Sequence, residues 1–274
     1  MTITRPSHLI ATLALLVALL PATKGLAAGD TAQVPVLMYH HLVTGTPNSE
    51  AELHVDCFRN QMQFLHDHGF TTLTLAELEA HHEAGSFPAR SVVITFDDGY
   101  RSFLEHAHPV LEAFGFDAVL FPVVSLRPGL QRAIVWTDHL SFHEIRAMAQ
   151  GAGLLEVGSH TYDLHHLTDD ELPAVLRQVD ESPCEHEARV REDLMLSQML
   201  LGVQTDQAVT ALAWPYGAFD AAAVEVAQDL GFSLLFTTVS GYVTPCAPLT
   251  ALPRFNVAAG TGPCFRDVVE GTLR

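Results

Sequence analysis

Two adjacent carboxylates, Asp97 and Asp98, close an apolar run from Ser91 to Phe96 and are followed at once by Gly99 and Tyr100. Two like charges side by side at a strand end are costly unless something cationic sits between or beside them. Successive strand residues point to opposite faces, so a turn at Gly99 is needed to bring both to one site. A metal ion would relieve the repulsion. A plain turn with a helix cap is the competing reading, because Asp and Gly favour both places. A second cluster, Gly158-Ser159-His160-Thr161-Tyr162-Asp163-Leu164-His165-His166, follows another apolar run. Imidazole is the commonest transition-metal ligand. His160 and His165 lie five apart, which on a helix is about 140° of rotation. On a strand they would face opposite sides. They can share one ion only from an irregular loop. With 16 histidines in the chain, scattered surface imidazoles are the alternative.

Three further clusters stand at the ends of apolar runs. In Trp214-Pro215-Tyr216-Gly217, Pro fixes the backbone and Gly lets it turn, so a backbone N–H could point into a cleft and meet an oxyanion. In Met38-Tyr39-His40-His41, a histidine could act as general acid. In Leu252-Pro253-Arg254-Phe255-Asn256, Arg254 could orient a carboxylate of the site, contact sugar, or form a structural ion pair. Tyr100, Trp214, Tyr216 and Arg254 are the candidates for contact with substrate. The aromatics Tyr100, Trp136 and Trp214 could equally pack in the core, and core packing is the expectation for Trp136.

The elements that must position these groups alternate. Strands are expected at Val34 to Tyr39, Phe70 to Leu73, Ser91 to Phe96, Phe116 to Val124, Leu154 to Gly158, Val209 to Trp214 and Phe232 to Thr238. Helices are expected at Phe58 to His68, Phe103 to Phe114, Glu185 to Leu201 (ended by Gly202) and Asp220 to Leu230. Thr74 with Glu77, and Ser141 with Glu144, form capping boxes that open two more. Regular succession of strand and helix argues for a parallel sheet with outer helices. Periodicity leaves a barrel and a doubly wound open sheet both open. In a barrel, sites sit at the C-terminal ends of strands, which is where the clusters fall.

The 274 residues fit one large domain, and 48% hydrophobic content supports a sizeable core. The net charge of −18 excludes attraction to nucleic acid or anionic lipid and tolerates neutral sugars. Arg5, the uncharged apolar run Leu9 to Leu20, and the small residues Gly25, Ala27 and Ala28 read as a signal peptide over residues 1–28. The run is short for a membrane span. Export to the periplasm or the extracellular space follows, with no stable span once the signal is removed. Residues 29–274 are then the mature chain, expected as one domain. Cys57, Cys184, Cys246 and Cys264 allow three pairings, of which Cys246 with Cys264 closes the shortest loop.

Thr95 to Tyr100, His160-Thr161 with a following histidine, and Trp214 to Gly217 together resemble the NodB-homology polysaccharide deacetylases over roughly residues 34–257. The longer histidine spacing in HTYDLHH, the opening VPVLMYHHL, the AWPYG loop and the LPRFNV tail resemble the biofilm poly-β-1,6-N-acetylglucosamine N-deacetylases in particular. The commoner family spacing of four puts Leu164 at the second histidine. The resemblance implies a distorted (β/α) barrel of TIM-like type. It also implies hydrolysis of N-acetyl groups on an N-acetylglucosamine-containing exopolysaccharide, with release of acetate. By the same resemblance Asp98, His160 and His165 hold one divalent transition metal, zinc first, with iron, nickel or cobalt as alternatives. Asp97 is the implied general base, His40 the general acid, and the Tyr216 N–H an oxyanion donor. His41 and His166 are the runners-up to their neighbours. Rival readings are a deacetylase or esterase for chitin, peptidoglycan or acetylated xylan, and a non-catalytic glycan-binding protein on the same scaffold.

Overall fold

The computed structural model describes residues 30–126, 138–259 and 264–273. The expected leader, residues 1–28, and Trp136 lie outside them. The main elements are β1 (Val34–Tyr39), β2 (His41–Val43), β3 (Glu52–His54), α1 (Val55–Asp67), β4 (Thr71–Thr72), α2 (Leu75–Ala84), β5 (Ser91–Asp98), α3 (His108–Phe114), β6 (Ala118–Pro122), α4 (Phe142–Ala149), β7 (Leu155–Val157), α5 (Pro183–Thr205), β8 (Ala211–Ala213), α6 (Ala221–Asp229), β9 (Leu234–Phe236), β10 (Tyr242–Val243), β11 (Phe255–Asn256) and α7 (Phe265–Glu270).

The fold is mixed α/β with parallel strands and helices between them. The central sheet runs β10-β1-β5-β6-β7, with β11 also on β1 and β4 on β5. Apart from antiparallel β10, these pairings are parallel. β8 and β9 form a separate parallel pair. Single bridges, Ser159 to Leu212 and Phe236 to Leu252, link that pair to its neighbours. At those two joints the sheet is linked by single bridges, without a continuous ladder.

Side chains alternate across each strand and build two cores. Val34, Val36, Val93, Phe121, Ala213 and Phe236 belong to an inner cluster. Leu37, Ile94, Phe96, Leu120, Val157 and Leu212 face the helices, packing with Phe58 of α1, Ile145 of α4 and Leu194 of α5. Both expected capping boxes form, at Thr74 with Glu77 and at Ser141 with Glu144.

Three expectations are corrected. The helix expected from Phe103 to Phe114 begins as a π-helix over Phe103–Ala107, and the His108 N–H reaches back to the Phe103 carbonyl. Pro109, which follows at once, lacks the N–H an α-helical ladder needs there, so the wider turn takes over. The helix expected to stop at Gly202 continues to Thr205, whose hydroxyl bonds to the Leu201 carbonyl. Asp206, left-handed at φ 59°, is the true cap. All four cysteines are free and exposed, so the Cys246–Cys264 pair is not formed.

Candidate functional site

The site starts from β5. Alternation sends Val93, Thr95 and Asp97 to the inner face, and Asp98 would point away. Asp98 instead adopts φ 65° and Gly99 φ 75°, and the Gly99 N–H bonds to the Asp97 carbonyl at 2.7 Å. The turn expected at Gly99 therefore begins one residue earlier, and that turn puts both carboxylates at one end of the strand.

Asp97 is 2% exposed and Arg254 is fully buried. Arg254 Nη1 donates to Asp97 Oδ1 at 2.7 Å, and Nη2 to Oδ2 at 2.7 Å. Its Nε donates to the Thr237 carbonyl at 2.9 Å, and Nη1 also reaches Thr95 Oγ1 at 3.2 Å. Burial pushes the Asp97 pKa up, but the charge of Arg254, helped by His160 and His40, outweighs it and holds the carboxyl well below its usual range. Of the roles open to Arg254 from the sequence, orientation of a carboxylate is the one this pairing supports. The guanidinium does not face solvent.

The two histidines come from an irregular loop after β7, as their spacing requires. His160 Nδ1 donates to the Ala213 carbonyl at 2.7 Å, which leaves Nε2 with its lone pair available to an ion. His160 Nε2 lies 3.5 Å, and His165 Nε2 3.2 Å, from Asp98 Oδ1. The three donor atoms lie within 4.8 Å of one another. Burial pushes His160 down to about 4, so its imidazole is neutral near neutral pH. His166 turns the other way, with Nδ1 on the Asp163 carbonyl at 2.8 Å. Asp97 and Arg254 cancel, so Asp98 contributes one net negative charge beside two imidazoles. That N, N, O set fits a divalent transition metal with open positions.

Around this centre stand the remaining candidates. Tyr39 of β1 is opposite Phe96 of β5, which sets His40 at the level of Asp97. His40 is near enough to both carboxylates to favour their ionised forms. Tyr100 is hydrogen-bonded to Asp98 through its hydroxyl, and burial with that partner pushes its pKa up. Tyr216, half-exposed, lays its ring 4.8 Å from that of His165. It adopts φ 58°, and Gly217 follows at φ 68°. A Cβ on Gly217 would stand 2.3 Å from Thr238 Oγ1, so only glycine fits. The N–H groups of Gly217 and Ala218 are spent on the Trp214 and Pro215 carbonyls. Trp214 is fully buried, stacked on Phe219 with ring centroids 5.8 Å apart, so its ring does not face solvent.

Asp193 escaped the sequence reading. It lies on α5 and accepts the N–H groups of Tyr162 and Asp163 at 2.8 Å each, which fixes the histidine loop. Ser197, one turn on, bonds to Ser159 Oγ at 2.6 Å, and Ser159 Oγ accepts the Thr161 N–H. The available signal was two polar residues on the buried stripe of α5, among Val190, Leu194 and Leu201. Burial pushes Asp193 up to about 6, against its backbone donors. Because the folded pKa exceeds the unfolded 3.8, the folded state holds the extra proton between those values. Stability therefore falls as pH rises from about 4 to about 6. Relative to wild type, Asp193→Asn should gain about 2 kcal/mol between pH 4 and pH 7. Urea unfolding at both pH values measures this, and a pH-independent difference would refute it.

With this geometry in view, the chain falls into a class. Residues 84–235 match the polysaccharide deacetylase family, and the chain belongs to that family. Among named relatives, it is 28% identical over 221 residues to the poly-β-1,6-N-acetyl-D-glucosamine N-deacetylase of Escherichia coli K12, covering 73% of this chain and 33% of the relative. The chain thus spans about a third of that protein's length. It is likewise 28% identical over 201 residues to the enzyme of that name from Staphylococcus aureus MSSA476, covering 73% of this chain and 66% of the relative. The structure of IcaB from Ammonifex degensii superposes with a TM-score of 0.75 at 26% identity, covering 89% of this chain and 98% of that one.

Proposed function

We propose that this chain is a metal-dependent N-deacetylase that releases acetate from an exopolysaccharide containing N-acetylglucosamine. The observation that carries this reading is the convergence of Asp98, His160 and His165 within 4.8 Å, beside an Asp97 held ionised by Arg254. Asp98, His160 and His165 would hold the ion. Bound there, a divalent metal would supply a Lewis acid that acidifies water and polarises the acetamide carbonyl. Asp97 accepts the proton of the attacking water. The Tyr216 N–H donates to the developing oxyanion. His40 gives a proton to the departing amine. The exposed ring of Tyr216 is the sugar-facing aromatic, while Tyr100 holds Asp98, Arg254 holds Asp97 and Trp214 is buried. The names of the Escherichia coli and Staphylococcus aureus relatives favour a β-1,6-linked polymer. Residues 1–28 are proposed as an export signal. Among the described residues no helix is long and apolar enough to cross a membrane.

Acetate release from defined β-1,6- and β-1,4-linked N-acetylglucosamine oligomers tests this. Activity should disappear when chelation strips the metal, return on adding zinc, cobalt, nickel or iron, and favour the β-1,6 series. Undiminished acetate release from verified metal-free protein would sink the metal role. Release from no acetylated glycan, with metal bound, would sink the enzyme reading.

A further inference from the structure

His41 begins β2, one residue beyond His40. Its Nδ1 lies 2.9 Å from Ser102 Oγ, and that same oxygen accepts the Leu42 N–H at 3.1 Å. The hydroxyl has one proton and two lone pairs, so accepting from Leu42 leaves it able to donate to His41 Nδ1. When it does, His41 carries its own proton on Nε2, as a donor. The ring is also held on its face: its centroid is 4.9 Å from that of Tyr100, which lies 4.9 Å from His139 in turn. Burial lowers the proton affinity of His41 against the opposing charges of Glu52 and Glu105, which favours the neutral ring. Ser102 is 5% exposed and immediately precedes the π-helix; such turns recur at functional sites.

His41 and Ser102 line a groove of about 550 Å³, together with Thr44, Arg101, Glu105 and Asp138. Its size is that of a small-ligand site. The lining is mostly polar and interleaves donors with acceptors, which suits a ligand dense in hydroxyl groups. Among the described residues, the lining's one guanidinium is already engaged, since Arg101 pairs with Glu105 at 3.3 Å and with Glu144 at 2.8 Å. A neutral sugar fits this better than an anionic one.

We infer that His41 is a substrate-positioning residue, whose Nε2–H donates to an oxygen of a neutral sugar unit seated in this groove, next to the unit whose acetamide is hydrolysed. This rests on the deacetylase reading above. It assigns the two neighbouring histidines different work, His40 on the departing amine and His41 on the adjoining sugar.

The test compares wild type, His41→Phe and His41→Gln on N-acetylglucosamine monomer and pentamer, with metal content measured throughout. Phe keeps the ring on Tyr100 and removes the donor; Gln restores a donor. Losing one hydrogen bond should raise KM for the pentamer about 3- to 10-fold in His41→Phe, with kcat within about twofold. The monomer, which does not fill the groove, should show a much smaller KM change, and Gln should recover part of the loss. An unchanged pentamer KM in an active variant overturns this inference alone. So does an equal KM change on monomer and pentamer. A hundredfold fall in kcat at unchanged KM would place His41 in proton transfer instead. Should wild type release acetate from no sugar, the deacetylase reading fails and takes this inference with it.

Discussion

Asp97→Asn is expected to lower kcat for acetate release by about 10²–10⁴-fold while the protein keeps its metal. The carboxylate is not one of the three converging donors, so its loss should leave ion uptake intact. Asparagine has nearly the same shape but cannot take a proton from water. The variant also leaves Arg254, fully buried, facing an uncharged partner. It should therefore unfold more easily as well. Activity and metal content measured on the same folded sample separate the two effects. Full turnover would remove Asp97 from proton transfer. Joint loss of metal and activity would move it into the ligand set.

Arg254→Met should cost about 3–5 kcal/mol of stability, because it strands a buried carboxylate. It should also reshape the acid limb of the rate profile. In wild type, burial raises the Asp97 pKa and Arg254 more than reverses it, so Asp97 stays ionised well below the usual carboxylate range. The pairing thus adds stability above the unfolded pKa of 3.8, which is lost only as pH falls through the lower folded value. Without Arg254, burial acts unopposed, and the acid limb of kcat/KM must move to higher pH. Arg254→Lys keeps the charge but loses the two-pronged contact, so it should fall between the two. Chemical denaturation and kcat/KM from pH 4 to 8 read both effects. An Arg254→Met enzyme with wild-type stability and an unmoved acid limb would show that the pairing does neither job.

Much of the frame was legible because it is local. The apolar run VPVLMY becomes β1 with every residue buried, and each capping box needed only four consecutive residues. The meeting of Asp98, His160 and His165 was expected through the resemblance of their motifs to a known family; spacing alone said only that two histidines five apart must stand on a loop if they are to share a site. What stayed hidden depends on long range. Arg254 meets Asp97 across 157 residues, and a sequence offers no means of ranking that partner over solvent. Asp193 sits in a helix whose polar residues look solvent-facing until the buried stripe is known. The π-helix turns on Pro109, one residue whose effect could equally have been a kink.

The backbone at this site leans the wrong way. Asp98, Thr161 and Tyr216, at φ 65°, 72° and 58°, stand at or beyond the ends of three different strands and are all left-handed without being glycine. Such residues cost about 1–3 kcal/mol each, and a β-branched threonine is among the worst placed. Their sum rivals the net stability of an ordinary domain. The two cores and the buried ion pair must therefore hold a spring under load, and glycine at these points would slacken it. A lineage selected only for endurance to heat would drift towards that relaxation and lose the aim of its side chains.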